Sequence, residues 1–236
     1  MNFTLVVLQA RMSSSRLPGK VMSLINGKPM IYWQINRIAK AILVDKILIA
    51  ISDQSSDDVL ANYLDSIRQE YIRGSLSSVI DRFVKAEEVY KPSAIVRLTG
   101  DCPLVMPELI DKCINQFQKE EVDYLSNTLV LSFPDGLDVE IINAGILSRL
   151  ASFELSNEER EHVTLGIYNR RDTFKVRNIL SEQNLSHFRW TIDTEDDLHF
   201  VREVYKHFVS KETEFTYEDL LSLLSKQPSM NRIKVR

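Results

Sequence analysis

Cysteine is nearly missing: Cys102 and Cys113 are the only two among 236 residues. So few exclude a disulfide framework, and the four histidines show no zinc-ligand spacing among themselves or with the cysteines. Cys113 falls on the apolar side of an expected helix and reads as core. Glycine and proline number seven each, which leaves no low-complexity linker, and no internal repeat is visible. No apolar run is long enough to span a bilayer. The opening MNFTLVVLQA lacks a basic start and reads as a strand, not a signal peptide. A cytoplasmic protein without membrane insertion is therefore expected. A strong charge of one sign is missing too. The net charge of −4 gives no basic surface for a duplex, so nucleic acid is not an expected partner. It does not exclude a local anion pocket.

What is present suits a folded core: 44% apolar and 26% charged residues. Thr4–Leu8 and Lys46–Ile51 are strand-like. Between them Pro29–Ala41 has helical spacing, with Ile31, Ile35, Ile38 and Ile42 on one face, a βαβ pattern. Ser55–Ser56 can cap a second helix carrying Val59, Leu60, Tyr63, Leu64 and Ile67. A helix over Ser77–Tyr90, a strand over Ala94–Leu98 and a helix over Pro107–Gln118 continue the alternation. In the second half, strands are expected at Leu137–Ile142, Phe174–Ile179 and Phe188–Ile192. Helices are expected at Glu158–Arg170, Glu195–Phe208 and Thr216–Leu224. The fold class is thus α/β, three-layered, with a mostly parallel sheet. One domain spans 1–226, in two halves at about 1–126 and about 127–226. Residues 227–236 form a basic tail expected to fray.

Ligands of such sheets bind beyond the carboxyl ends of the strands, and polar clusters follow the strands here. Gln9-Ala10-Arg11-Met12-Ser13-Ser14-Ser15, continuing to Lys20, supplies cations and pointed donors for a polyphosphate. Pro18-Gly19 can turn the chain so that Lys20 swings back. The segment is neither a Walker loop nor a dinucleotide fingerprint, and composition alone reads equally as a solvated basic loop. Asp101, in Thr99-Gly100-Asp101-Cys102-Pro103, sits where a strand-end carboxylate can hold Mg²⁺, although the same residues make a good turn. Asp193 is a candidate second metal ligand; Glu195 and Asp196 read as helix-dipole compensation. Past the Pro134-Asp135-Gly136 turn, Asp138 and Glu140 share a strand face opposite Leu137 and Val139. Metal or sugar hydroxyls suit that face, and a solvent-facing strand is the commoner origin of the pattern. Arg73 and Gly74 precede a helix and can read a base edge. Glu161-His162 lies within a helix, where a lone histidine is usually structural.

Six segments in order resemble the cytidylyltransferase family that includes the spore-coat polysaccharide SpsF-like proteins. They are LQARMSSSRLPGK, RGSLSSVIDRF, RLTGDCPL, FPDGLDVEI, EREHV and RWTIDTEDDL, spanning Leu8–Leu198. The family is related to the synthetases of CMP-activated keto-deoxy sugar acids (keto-deoxy-octulosonate) and acylneuraminates. The resemblance implies a nucleotidyltransferase of the glycosyltransferase-A-like (nucleotide-diphospho-sugar transferase) fold, usually a homodimer. It also implies Mg²⁺ as cofactor and CTP as donor, with CMP passing to a sugar or sugar-acid acceptor in surface glycan biosynthesis. By motif, Arg11 and Lys20 resemble triphosphate ligands, with the Met12–Ser15 backbone nearby. Arg73 and Thr99 fall in the nucleoside pocket, Asp101 and Asp193 at the magnesium. Asp135, Asp138, Glu140, Glu161 and His162 fall where the acceptor binds. The sugar-acid synthetases do not share the Pro-Asp-Gly-Leu-Asp-Val-Glu and Glu-His-Val stretches in this form, which leaves the acceptor open. The proton acceptor is open between Asp138 and a metal-bound hydroxide. Three other readings stand beside this one: a sugar-phosphate nucleotidyltransferase using another base, a glycosyltransferase of related fold, and a non-catalytic nucleotide-binding module.

Overall fold

Burial follows from the strands inward. The structure is a computed structural model that describes residues 3–234. The strands are β1 (Thr4–Gln9), β2 (Leu24–Ile25), β3 (Lys28–Pro29), β4 (Lys46–Ser52), β5 (Tyr71–Gly74), β6 (Ala94–Thr99), β7 (Tyr124–Ser126), β8 (Glu140–Asn143) and β9 (Val176–Asn178). The helices are α1 (Met30–Ile38), α2 (Asp58–Ser66), α3 (Val79–Tyr90), α4 (Pro107–Lys119), α5 (Ile146–Ala151), α6 (Asn157–Glu161), α7 (Leu165–Tyr168), α8 (Glu195–His207) and α9 (Tyr217–Lys226). A continuous apolar run such as Leu5–Leu8 belongs to a parallel strand covered on both faces, and β1 lies in the middle of the seven-stranded order β5-β4-β1-β6-β8-β7-β9. The first four pair in parallel. Strand β8 runs antiparallel to both β6 and β7, and β9 is parallel to β7.

Strand alternation sorts the core into two layers. Val6 and Leu8 of β1 pack with α1, α2, α4, α8 and α9. Leu5 and Val7 face the other way, toward α3, α5 and Phe174. The three-layer α/β class expected from the sequence is therefore the observed one. Because β8 pairs with β6, the chain past residue 126 enters the same sheet.

Several element boundaries differ, each for a tertiary reason. Ile42 is 86% exposed: α1 stops at Ile38, and the N–H groups of Ile42 and Leu43 donate to the Asp111 carboxylate instead. Ser55 and Ser56 do not cap α2; they lie in a 3₁₀ turn ahead of it. Val59 is exposed as a result. The helix expected at Glu158–Arg170 is broken into α6 and α7 by Val163, at φ +38°. The strand expected at Leu137–Ile142 pairs only from Glu140. Before that, the Asn127 side chain substitutes for a neighbouring strand, donating to the Leu137 carbonyl and accepting from the Val139 N–H. Phe188–Ile192 is not a regular strand; it makes two isolated bridges, Asp135 to Arg189 and Phe188 to Ile233. That last bridge also holds the basic tail. The Arg189 N–H donates to the Arg232 carbonyl and the Lys234 N–H to the His187 carbonyl, which ties the tail to the 187–189 segment. Val235 and Arg236 lie outside the described residues. No helix among the described residues is long and apolar enough to cross a membrane.

Gly136 joins the Pro-Asp-Gly turn to the 188–192 segment. Its φ is +104°, and a Cβ there would lie 2.7 Å from both the Trp190 carbonyl carbon and the Thr191 nitrogen. Gly136→Ala is expected to cost about 2–4 kcal/mol of unfolding free energy, from strain and overpacking together. Urea titration checks this; a loss below about 0.5 kcal/mol would mean that the turn yields freely.

Candidate functional site

The loop after β1 is shaped by its own backbone. The Met12 carbonyl accepts from the N–H groups of Ser14 (2.9 Å) and Gly19 (2.8 Å), and the Lys20 N–H donates to Leu17. Gly19 takes φ +73°, a conformation cheap only for glycine. The loop is pinned to the sheet by Asp57, fully buried, whose carboxylate accepts from the Met12 and Ser52 N–H groups, both at 2.8 Å. The Pro18-Gly19 turn thus delivers Lys20 inward, as its place in the sequence suggests. Its ammonium, 8% exposed, donates to the Ile192 carbonyl (2.6 Å), Asp193 Oδ1 (2.9 Å) and Asp101 Oδ2 (3.3 Å).

Both aspartates arrive by backbone design. Asp101 follows β6, and its carboxylate accepts from Thr99 Oγ1 at 2.6 Å. Gly100 allows β6 to close on β1: a Cβ there would sit 2.9 Å from the Gln9 carbonyl oxygen. The Asp101 carbonyl accepts from the Ile192 N–H at 2.8 Å, which sets Asp193 beside it. Burial pushes the Asp193 carboxyl up, yet Lys20, Arg189 (2.6 Å) and Arg16 (2.9 Å) outweigh it and hold it below the usual range. Asp197 completes a capping box with Thr194 and also pairs with Arg189. Two carboxylates converging on one cation form a donor set that a hard divalent ion accepts when phosphate oxygens complete its shell. Among the described residues, no group of three His, Cys, Asp or Glu side chains forms a metal site without such help.

Arg16, Lys20, Asp101 and Asp193 line a cleft of about 320 Å³. Of the residues expected at the nucleotide, Gln9, Ala10, Arg11, Ser14 and Ser15 border it, as do Lys20, Thr99 and Gly100. Met12 and Ser13 do not, Met12 serving as the hinge of the loop instead. Arg73 is also a correction: it is turned onto Asp58 (2.7 Å) and the carbonyls of Ser52 and Gln54. Gly74 acts indirectly, as the surface over which the Arg82 side chain passes.

The acceptor candidates divide likewise. Glu161 and His162 border the cleft, and Glu161 pairs with Arg11 at 3.3 Å across it. Asp135 pairs with Arg189 and Lys234 instead. Glu140 faces neither solvent nor the cleft. It is 5% exposed and accepts from Arg97, Tyr124 and Thr164, so the solvent-facing strand expected from its pattern is overturned. Arg97, which does border the cleft, is held charged by Glu140 against the pull of burial. Asp138, two residues before Glu140 in sequence, is half-buried.

Sequence reasoning counted Arg16 among the cations of the loop but missed Arg82, Arg97 and Asp57 as parts of this site. A signal existed for Arg82: it sits among Val79, Ile80 and Phe83 on the buried face of α3, where an arginine is rare unless it has a task.

Comparison with known proteins agrees with this geometry. A family profile described as Cytidylyltransferase matches residues 5–226. The chain is 34% identical, over 97% of its length and 96% of the relative's, to the spore coat polysaccharide biosynthesis protein SpsF of Bacillus subtilis. A solved cytidylyltransferase from Leptospira borgpetersenii superposes with a TM-score of 0.92 at 28% identity, covering 99% of this chain and 98% of that one. A CMP:2-keto-3-deoxy-manno-octonic acid synthetase complexed with CTP shares the fold at a TM-score of 0.68 and 18% identity, covering 87% of this chain and 99% of that one.

Burial, with Asp135, Glu140 and Asp101 nearby, pushes the Asp138 carboxyl from its ordinary 3.8 up to about 7. A raised carboxyl favours the fold at low pH and loses that advantage as pH climbs through the folded value. Wild-type stability should therefore fall between about pH 4 and pH 7 relative to Asp138→Asn, by a few kcal/mol at most. Urea unfolding of both proteins at pH 5 and pH 8 tests this; a gap that stays constant with pH would refute it.

Proposed function

Because the chain belongs to the cytidylyltransferase family, we propose that it moves CMP from CTP to a hydroxyl of a sugar or sugar-acid acceptor and releases pyrophosphate. The product would feed surface polysaccharide synthesis, as the name of the Bacillus subtilis relative suggests. The observation that carries the reading is the Lys20 ammonium lodged between Asp101 and Asp193 at the mouth of β6, beside the β1 loop. Cations and carboxylates meet there as a triphosphate with its counter-ion requires.

In the reaction, the acceptor oxygen forms a bond to the α-phosphorus as the bond to the bridging oxygen of the β-phosphate breaks. The protein's part is to position the reactants and neutralise charge. Lys20 and Arg11 would stabilise the leaving pyrophosphate, Arg11 exchanging Glu161 for phosphate oxygens. Asp101 and Asp193 would hold Mg²⁺, which supplies charge neutralisation and lowers the pKa of the attacking hydroxyl. With a carboxyl near 7, Asp138 is suited to take the hydroxyl proton, since proton transfer is most effective near the working pH. Glu161 and His162, at the rim of the same cleft, are the proposed acceptor contacts. The proposal keeps the homodimer and the cytoplasmic location. Val130, Leu131 and Leu180, exposed beside the edge strand β9, are the surface such a pairing would cover.

Pyrophosphate release with CTP, UTP, GTP and dTTP, each offered with sugar-acid acceptors including 3-deoxy-manno-octulosonate, tests the reading by rate and product mass. CTP should be preferred, chelation should silence turnover, and Mg²⁺ should restore it. Asp101→Asn should lower kcat by about 10²–10³ at unchanged melting temperature. Near-normal turnover by that variant would remove Asp101 from the mechanism.

A further inference from the structure

Arg82 is a cation in the cleft that the proposed mechanism leaves unused. It is 2% exposed, yet no carboxylate among the described residues lies within ion-pair distance of it. One terminal nitrogen, Nη1, donates to the Ala50 carbonyl of β4 at 3.0 Å. Nε is buried without a partner, and Nη2 has none among the described residues. A buried donor left open in this way is costly unless something supplies an acceptor. Burial pulls the guanidinium down to about 10, outweighing the Asp57 and Asp53 carboxylates that lie beyond ion-pair distance.

The placement is built. The Arg82 side chain crosses Gly74, where a Cβ would come within 2.8 Å of its Cγ. The Ala50 carbonyl that holds it also accepts from the Ala10 N–H, at 3.1 Å. Arg82 is thus fixed at the end of β4 and under the exit of β1. The Lys20–Asp101–Asp193 cluster is at the end of β6, on the far side of β1. Two strand spacings separate β4 from β6, roughly 9–10 Å. If the β6 end takes phosphates, the β4 end takes the nucleoside.

We propose that Arg82 selects the base, the two N–H groups of its open Nη2 donating to the adjacent O2 and N3 acceptors of cytosine. Uracil presents an N–H at N3, which would set donor against donor. This rests on the nucleotide reading above and adds to it the residue that makes the donor CTP and not UTP. A planar two-donor fork meets a two-acceptor edge in the way arginine meets base edges elsewhere.

The test is calorimetric titration of the full chain, in Mg²⁺, with CTP, UTP and inorganic tripolyphosphate. Wild type should favour CTP over UTP by about 10-fold or more, and Arg82→Gln should bring the two within about 3-fold. Tripolyphosphate, which carries no base, should change by less than about 3-fold in that variant. Gly74→Ala keeps the cation but displaces it, and should erode the same ratio; it decides the matter if Arg82→Gln does not fold. A ratio unchanged in the variants overturns the inference, as does a wild type that binds CTP and UTP equally. Equal losses for CTP and tripolyphosphate would make Arg82 a phosphate ligand and overturn it too. A wild type that binds no triphosphate defeats the parent reading, a separate and recognisable failure.

Discussion

The ammonium of Lys20 ties the molecule's working parts together. It reaches Asp101 from β6, Asp193 from the approach to α8, and the Ile192 carbonyl. The three acceptors come from two stretches of chain, each over 80 residues from Lys20 in sequence. Taking a lysine out of water costs several kcal/mol, recovered only if good geometry meets its charge. Here three acceptors do so. Without the ammonium, two carboxylates would face each other in a partly dry cleft with only Arg16 and Arg189 to relieve Asp193. The Gly19 turn, the closeness of Gly100 to Gln9, and the Ile192-to-Asp101 backbone bond all serve this convergence.

The sequence made the central elements legible because one physical signal dominates there. Continuous apolar strands and amphipathic helices place β1, β4, β6 and α4 close to where they stand, and the polar clusters follow from strand ends. Legibility failed where a second signal competed. Asp138 and Glu140 do alternate as a strand would. But β8 lies between β6 and β7, so the face away from Leu137 and Val139 is interior too, and Glu140 becomes the counter-ion of Arg97. Spacing reveals that two residues share a face; it does not reveal what covers that face. The same limit explains Arg73 and Arg82. Both lie in one motif. The four-residue β5 turns Arg73 toward the start of α2, while α3 turns Arg82 into the cleft.

The break at Val163 shows a local rule yielding to a tertiary demand. A β-branched residue at φ +38° is strained, and a continuous helix would avoid the strain. The bent chain gains two placements. Thr164 Oγ1 reaches Glu140 at 2.6 Å, and Glu161 and His162 are turned to the cleft. Tyr124 closes the other side of Glu140. Arg97, with Nε on Gln9 at 3.1 Å, is then fixed by a buried network with its carboxylate fully engaged. Such networks are costly when half satisfied and rigid when complete, which suits a side chain that must present one geometry to a ligand.

A chain with net charge −4 can still hold a cationic cleft because its pairs differ in how firmly they are made. Arg11 and Glu161 are 41% and 47% exposed, and a pair that open to water is worth at most about 1 kcal/mol. A triphosphate can separate it with little opposition. Lys20 and Asp193 are 10% and 11% exposed, so parting them demands a replacement on both sides. Arg82 stands at the opposite limit, with no carboxylate within ion-pair distance among the described residues. The cleft thus offers a free cation at β4, an easily released one on the β1 loop, and a firmly held one at β6. Phosphates entering it would exchange with Glu161 at Arg11 more readily than they would part Lys20 from Asp193, and the guanidinium at β4 would be left to the uncharged base.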